Sequence, residues 1–275
     1  MKKLFALVLA ALMLFTMAAC GGTADNETTT AAPDDAVAAN SDAAYIENKG
    51  ELIIGITYFK PMNYLEGETL TGFETDFATA VCEKLGVTPK FQEIDWNSKE
   101  IELEAKNIDC IWNGMTITDD RLEAMSITTP YMANKQVLVV KAENANITSV
   151  DGLNIVAEVE SAGEEVATTN EFFANANYIA VDTQAKALME VAAGTADACV
   201  VDYVCSIGMI GEGTDYENLA VVESQAFADE EYGAAFRKGS DFTAKVNAAM
   251  SELKAEGKLD EIAANYKLAE QIIVK

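Results

Sequence analysis

The sequence predicts an α/β fold in two lobes, and three observations carry that expectation. At 275 residues the chain is too long for one compact core of typical size, and it suits two domains. From Glu51 onward, short apolar runs alternate with segments of helical period, the pattern of an α/β chain with mainly parallel sheets. A helix end, a turn and an Asp leading a strand occur twice, at Leu103–Gly114 and Val191–Asp202, so each half carries the same unit.

In chain order, Met1-Lys2-Lys3 is followed by an uncharged apolar run from Leu4 to Ala19. That run is shorter than the roughly 20 residues a spanning helix needs. A basic start, an apolar middle and small residues before a break make residues 1–19 a secretory signal. The break, Met17-Ala18-Ala19-Cys20-Gly21, resembles a bacterial lipobox, with Met where Leu is usual. Such a cysteine takes a diacylglyceryl group, so Cys20 is expected to be lipidated and to begin the mature chain. Residues 20–44 then read as the lipidated cysteine and a disordered tether, too poor in apolar residues to bury a core.

Leu52–Thr57 reads as a strand, and Phe73, Phe77, Val81 and Leu85 mark a helix stopped by Gly86. Asp109–Met115 reads as a second strand. Thr118 caps a helix with Asp119 and Asp120 in its first turn. Gln136–Lys141, Leu153–Ala157 and Asp197–Asp202 are further strands. Thr183 caps a helix closed by Gly194. Phe242, Val246, Met250 and Leu253 mark a long helix before Gly257, and a short one surrounds Ile262 and Tyr266. Ligands of open α/β sheets bind beyond the carboxyl ends of strands, here Asn113-Gly114 and Asp202.

Composition narrows the chemistry. A net charge of −26 repels nucleic-acid phosphate, so no nucleic-acid partner is expected. With no histidine, the chain lacks the commonest general base and the commonest metal ligand. Cys82, Cys110, Cys199 and Cys205 show no CxxC spacing and lie mainly in apolar runs, so buried thiols are expected rather than a metal or redox site. No metal and no cofactor are called for.

Ordered motifs then carry a resemblance. Gly55-Ile56-Thr57-Tyr58-Phe59-Lys60-Pro61-Met62-Asn63-Tyr64 and Thr71-Gly72-Phe73-Glu74-Thr75-Asp76-Phe77 come first. Trp112-Asn113-Gly114-Met115-Thr116-Ile117-Thr118-Asp119-Asp120-Arg121 and Thr128-Thr129-Pro130-Tyr131 follow. Together they resemble the polar amino-acid binding proteins of ABC importers, solute-binding protein family 3, over about residues 45–270. The resemblance implies a two-lobed periplasmic-binding-protein-like fold of type II with two crossover hinge strands. Lobe 1 is expected at 45–134 plus 228–275 and lobe 2 at 135–227.

The resemblance also assigns roles. Arg121 grips an amino acid's carboxylate with two parallel N–H bonds from the first turn of a helix. Thr116 and the Gly114 backbone match positions that bond the carboxylate and the ammonium, and Asn113 ends the same strand. Asp202 ends an apolar strand, where an ammonium satisfies a carboxylate costly to bury alone; capping the next helix is the rival role. Ser161 and Ala162 open a helix whose N–H groups meet the carboxylate from the other lobe, with Glu160 standing where Gly is common. Phe59 and Trp96 match rings that sandwich the ligand side chain, while Trp112 is expected in the core. Glu158 matches a position that reads the side chain, and a carboxylate there repels Glu and Asp ligands.

The expected function is capture of a polar amino acid outside the membrane, without chemical turnover, and delivery to an ABC permease. The protein is expected to be a monomer held at the membrane by its N-terminal lipid. Two rivals share the fold: a sensing module serving a signalling partner, and a cyclohexadienyl-dehydratase-like enzyme using Glu158 as its acid or base.

Overall fold

Two five-stranded sheets organise the chain. The computed structural model describes residues 41–275; the expected signal segment, Cys20 and the part of the expected tether up to residue 40 lie outside the described residues. The chain enters through α1 (Asp42–Lys49). Ser41 caps it, accepting from the Ala44 N–H at 2.9 Å, and Asp42 pairs with Arg237 at 2.7 Å. A cap and a largely buried ion pair thus draw Asp42 into the fold, and the tether expected to reach residue 44 ends before it.

β1 (Glu51–Ile56), a hairpin of β2 (Tyr64–Glu66) and β3 (Thr69–Thr71), α2 (Phe73–Leu85) and β4 (Thr88–Glu93) follow. Gly86 stops α2 in the left-handed region, at φ 70°. Next come α3 (Lys99–Glu104), β5 (Cys110–Ile111), α4 (Asp119–Ala124), β6 (Ser126–Ile127) and the long β7 (Met132–Lys141). β8 (Asn154–Glu158), α5 (Ala162–Thr169), β9 (Asn177–Val181), α6 (Gln184–Ala193), β10 (Ala198–Asp202) and α7 (Tyr203–Met209) build the second half. The chain returns through β11 (Leu219–Tyr232) to β12 (Ala235–Phe236), α8 (Phe242–Ala255) and α9 (Lys258–Asn265).

The first sheet has the order β4-β1-β5-β12-β6 and the second β11-β7-β10-β8-β9. β1 is parallel to β4 and β5, and β8 to β9 and β10. β7, β11 and β12 pair antiparallel, so the sheets are mixed rather than uniformly parallel. β7 and β11 are the two crossover strands between the lobes.

The repeated helix–turn–strand unit is structural. Asp109 Oδ2 accepts from the Ile53 N–H at 2.8 Å, and the Asp109 N–H donates to the Ile53 carbonyl at 2.7 Å. Asp197 repeats this on Asn154, with 2.8 Å and 3.0 Å. Each Asp closes both exposed backbone groups at the start of a parallel neighbour, which fixes strand register.

The apolar period of α2 buries Phe73 and Phe77. Phe77 meets the edge of Trp112 at 5.4 Å and of Tyr131 at 5.8 Å between ring centroids. Truncating a packed ring of this kind costs about 3–5 kcal/mol. Trp112 is fully buried, as expected. The four cysteines are buried free thiols. No helix among the described residues is long and apolar enough to cross a membrane.

Candidate functional site

The carboxyl ends of the parallel strands meet at one narrow cavity between the lobes. Phe59, Trp96, Asn113, Gly114, Thr116 and Arg121 line it from the first lobe. Glu158, Ser161, Ala162 and Asp202 line it from the second, and Gln184 joins them. All the residues expected at the site therefore stand around one space, and Gln184 adds to them.

Beyond β5 the chain leaves the strand earlier than expected. Gly114 lies at φ 55°, and a Cβ there would stand 2.9 Å from Phe59 Cζ, so only glycine fits the turn. The Gly114 N–H donates to Glu74 Oε1 at 2.8 Å. Tyr131 donates to the same oxygen, and Asn63 to Oε2 at 2.9 Å. Burial raises the Glu74 carboxyl to about 7, with these bonds opposing the shift. Asn113 lines the cavity, but its amide is committed to Thr57: Oδ1 accepts from the Thr57 hydroxyl at 2.7 Å and Nδ2 donates to the Thr57 carbonyl at 2.9 Å. Its side chain fixes the strand end rather than reaching inward.

Thr118 caps α4, accepting from the Arg121 N–H at 3.3 Å. Arg121 donates from Nη1 to the Thr116 carbonyl at 2.8 Å and from Nη2 to the Glu160 carbonyl at 3.1 Å. Burial lowers its pKa, yet a guanidinium stays charged. Glu160 sits at φ 59°, in the region that favours glycine, which accounts for the usual residue there. In this conformation its carbonyl also accepts from Trp96 Nε1 at 3.2 Å and Lys99 Nζ at 3.4 Å. Burial, then the neighbouring Arg121, pushes the Lys99 ammonium down to about 8.

In the second lobe, Ser161 caps α5, accepting from the Glu164 N–H at 3.1 Å and donating to the Glu158 carbonyl at 2.7 Å. Its hydroxyl is thus committed, which leaves the free backbone N–H groups of the first turn as donors. Glu158 ends β8 only 4% exposed, and its Oε1 has no hydrogen-bond partner. Burial, then the nearby Asp202, raises its carboxyl to about 8.

Asp202 stands at the N-cap position of α7 but makes no cap bond. Oδ1 accepts from Asn134 Nδ2 at 2.8 Å and Gln136 Nε2 at 2.5 Å, and Gln184 Nε2 donates to Oδ2. Burial raises its pKa against these bonds. Sequence reading missed Asn134, Gln136 and Gln184, the amides around Asp202, and Lys99. Single amides carry no spacing signal: Gln136 reaches Asp202 by pairing of β7 with β10, Asn134 lies two residues before it on β7, and Gln184 comes from the start of α6.

Two lobes joined by paired crossover strands and shut over a polar cavity define a solute-binding protein of the periplasmic type. Residues 52–269 match the bacterial extracellular solute-binding proteins, family 3, and the chain belongs to that family. It is 26% identical to the arginine-binding extracellular protein ArtP of Bacillus subtilis (strain 168), over 95% of this chain and 96% of that one. An ABC uptake transporter substrate-binding protein from Streptococcus pneumoniae with bound histidine matches with TM-score 0.75 and 30% identity, over 86% of this chain and all of that one. The ancestral amino acid-binding protein AncCDT-1, a precursor of cyclohexadienyl dehydratase, matches with TM-score 0.74 and 28% identity, over 82% and 99%.

Proposed function

We propose that this protein captures a polar α-amino acid outside the cell membrane and hands it to an ABC importer permease. The observation that carries the reading is that Arg121 and Asp202, from opposite lobes, line one closed cavity. In this reading the ligand carboxylate lies on Arg121, Thr116 and the first-turn N–H groups at Ser161 and Ala162. The ammonium lies on Asp202 and the Gly114 carbonyl. The side chain passes between Phe59 and Trp96 toward Glu158. Ligand binding favours the closed form, which the permease reads.

The unpartnered oxygen of Glu158 favours a ligand whose side chain brings a cation or an N–H donor. Arginine, lysine and ornithine satisfy it, as do the donors of glutamine or cystine. The relatives' ligands, arginine and histidine among them, support this class. The lobe boundaries at 134/135 and 227/228 belong to this proposal; β7 and β11, which run across them, support it. Lipidation at Cys20 and a monomeric state belong to the same proposal.

A thermal-shift screen of the common amino acids tests the reading. A ligand at 100 times its Kd adds roughly 2.7 kcal/mol of stability, a visible shift in Tm. No shift with any amino acid refutes it. A sensing role would use the same ligand chemistry with a different partner. The enzymatic alternative rests on Glu158, a buried acid held near neutral pH inside the cavity. Loss of prephenate or arogenate on incubation with the protein would favour it.

A further inference from the structure

Glu230, on the returning crossover strand β11, has no role in the reading above. It lies behind the wall of the cavity and shares both of Asp202's amide donors from β7. Asn134 Nδ2 donates to Glu230 Oε1 at 2.8 Å and Gln136 Nε2 at 2.5 Å, the same distances at which they reach Asp202 Oδ1. The two carboxylates therefore stand within the span of two hydrogen bonds. Neutral amides bring them together without supplying charge. Two carboxylates in one site favour a state with a single proton between them.

We propose that Glu230 is a second anionic partner of the ligand's α-ammonium, sharing one proton with Asp202 while the site is empty and yielding that proton to solvent when the ammonium enters. The proposal rests on the reading that Asp202 receives the ammonium. The ligand's N–H groups and charge then replace the bound proton between the carboxylates. The proton leaves on the hinge side, where half-buried Glu230 also borders an open hollow with Asn134, Asp229 and Glu231.

The groups around the pair fit this exchange. Thr116, in the cavity wall, stands near Glu230. Arg121 is the cation that faces both acids from α4. Glu158 on β8 and Glu74 on α2 add negative field at Asp202, and the Tyr232 phenol is held neutral by burial. On its own strand, Asp229 and Glu231 are exposed. On β7, Lys135 lies over the Tyr203 ring, 4.9 Å from its centroid. Burial, then Asp202, raises the Glu230 carboxyl to about 7.

Two measurements test this. In the unliganded protein, NMR titration of labelled side-chain carboxyls, assigned with Asp202→Asn and Glu230→Gln, is expected to show Glu230 protonating near neutral pH. Titration of Glu230 in the ordinary carboxylate range overturns the proposal, whatever ligand binds. Calorimetric titration with L-arginine uses the Glu158→Gln protein, which removes the other raised carboxyl of the cavity. Phosphate and imidazole buffers at pH 6.5, and phosphate and Tris at pH 8.5, report the protons released. Most of one proton is expected to be released at the lower pH, with a small net uptake at the higher because part of the free arginine α-amine must be protonated to bind, and affinity about threefold weaker at pH 6.5. Adding Glu230→Gln should abolish the release and weaken binding at pH 8.5. Release that persists without Glu230, or none with it, overturns the proposal. Failure of L-arginine to bind counts against the ligand class instead, and the NMR titration still decides the proton.

Discussion

Gly208, in the second lobe, lies so close to Pro61 of the first that a Cβ on it would stand 2.7 Å from both Pro61 Cδ and Pro61 N. The two lobes touch main chain to main chain there, beside the Lys60–Asp215 ion pair at 2.8 Å. A methyl group is tolerated when the lobes separate and clashes when they close. Gly208→Ala is expected to leave the Tm of the unliganded protein within a few degrees while weakening ligand binding about tenfold or more, by an overpacking cost of about 1–3 kcal/mol. Calorimetric affinity equal to that of the parent would show that closure does not need this approach.

Arg121→Ala and Asp202→Ala should each cripple binding in a folded protein. Removing one partner of a buried, hydrogen-bonded charge pair costs about 2–5 kcal/mol. Unchanged circular dichroism with a large fall in calorimetric affinity is the expected pair of results. Near-parental affinity in both variants would remove the ligand from this cavity.

Ligand binding should change the protein's fluorescence through Trp96, whose indole bridges the lobes, and not through Trp112, packed between Phe77 and Tyr131. Trp96→Phe is expected to keep binding and lose most of the signal. A signal lost only on replacing Trp112 reverses the two roles.

Glu158→Gln should change the order in which amino acids compete. The parent is expected to prefer arginine, lysine, glutamine or cystine to glutamate and aspartate. The variant should narrow that gap by losing the unpartnered carboxylate. Tighter binding of glutamate than of arginine by the parent would defeat the charge argument.

Buried acids also set how stability varies with pH. Glu74 and Glu230 are raised to about 7 and Glu158 to about 8, above the ordinary value of 4.5. Between these limits the folded state binds more protons than the unfolded state, so stability falls as pH rises. The unliganded protein should melt higher at pH 5.5 than at pH 8.5, and Glu158→Gln should flatten the slope. A Tm that rises across this range contradicts the burial of these groups as carboxyls.

The sequence made some of this legible for definite reasons. α2, α6 and α8 combine an apolar period with a stop or a cap, and those signals are local. Arg121, Gly114 and Asp202 sit in ordered motifs, so their place around one cavity followed from resemblance. The strand expected over Asp109–Met115 shrinks to Cys110–Ile111, because Gly114 turns back to give its N–H to Glu74, a contact forty positions away. β9 escaped notice because most of its residues are exposed. β11 carries five acidic and amide side chains in place of an apolar run. Gln136 became a site residue only when β7 paired with β10, and Asn134 when β7 paired with β11.

The order of strands has a consequence for a chain that emerges from its amino end. β12 lies between β5 and β6 in the first sheet, yet its residues, 235–236, arrive after the whole second sheet. α8, which meets α2 through Lys84 and Glu252 at 3.3 Å, arrives later still. During emergence the second lobe therefore has all its strands while the first is split, with β6 unpaired and one side of α2 bare. The lobe that starts first finishes last. Its unfinished sheet edge is the surface that a chaperone at the exit would have to shield.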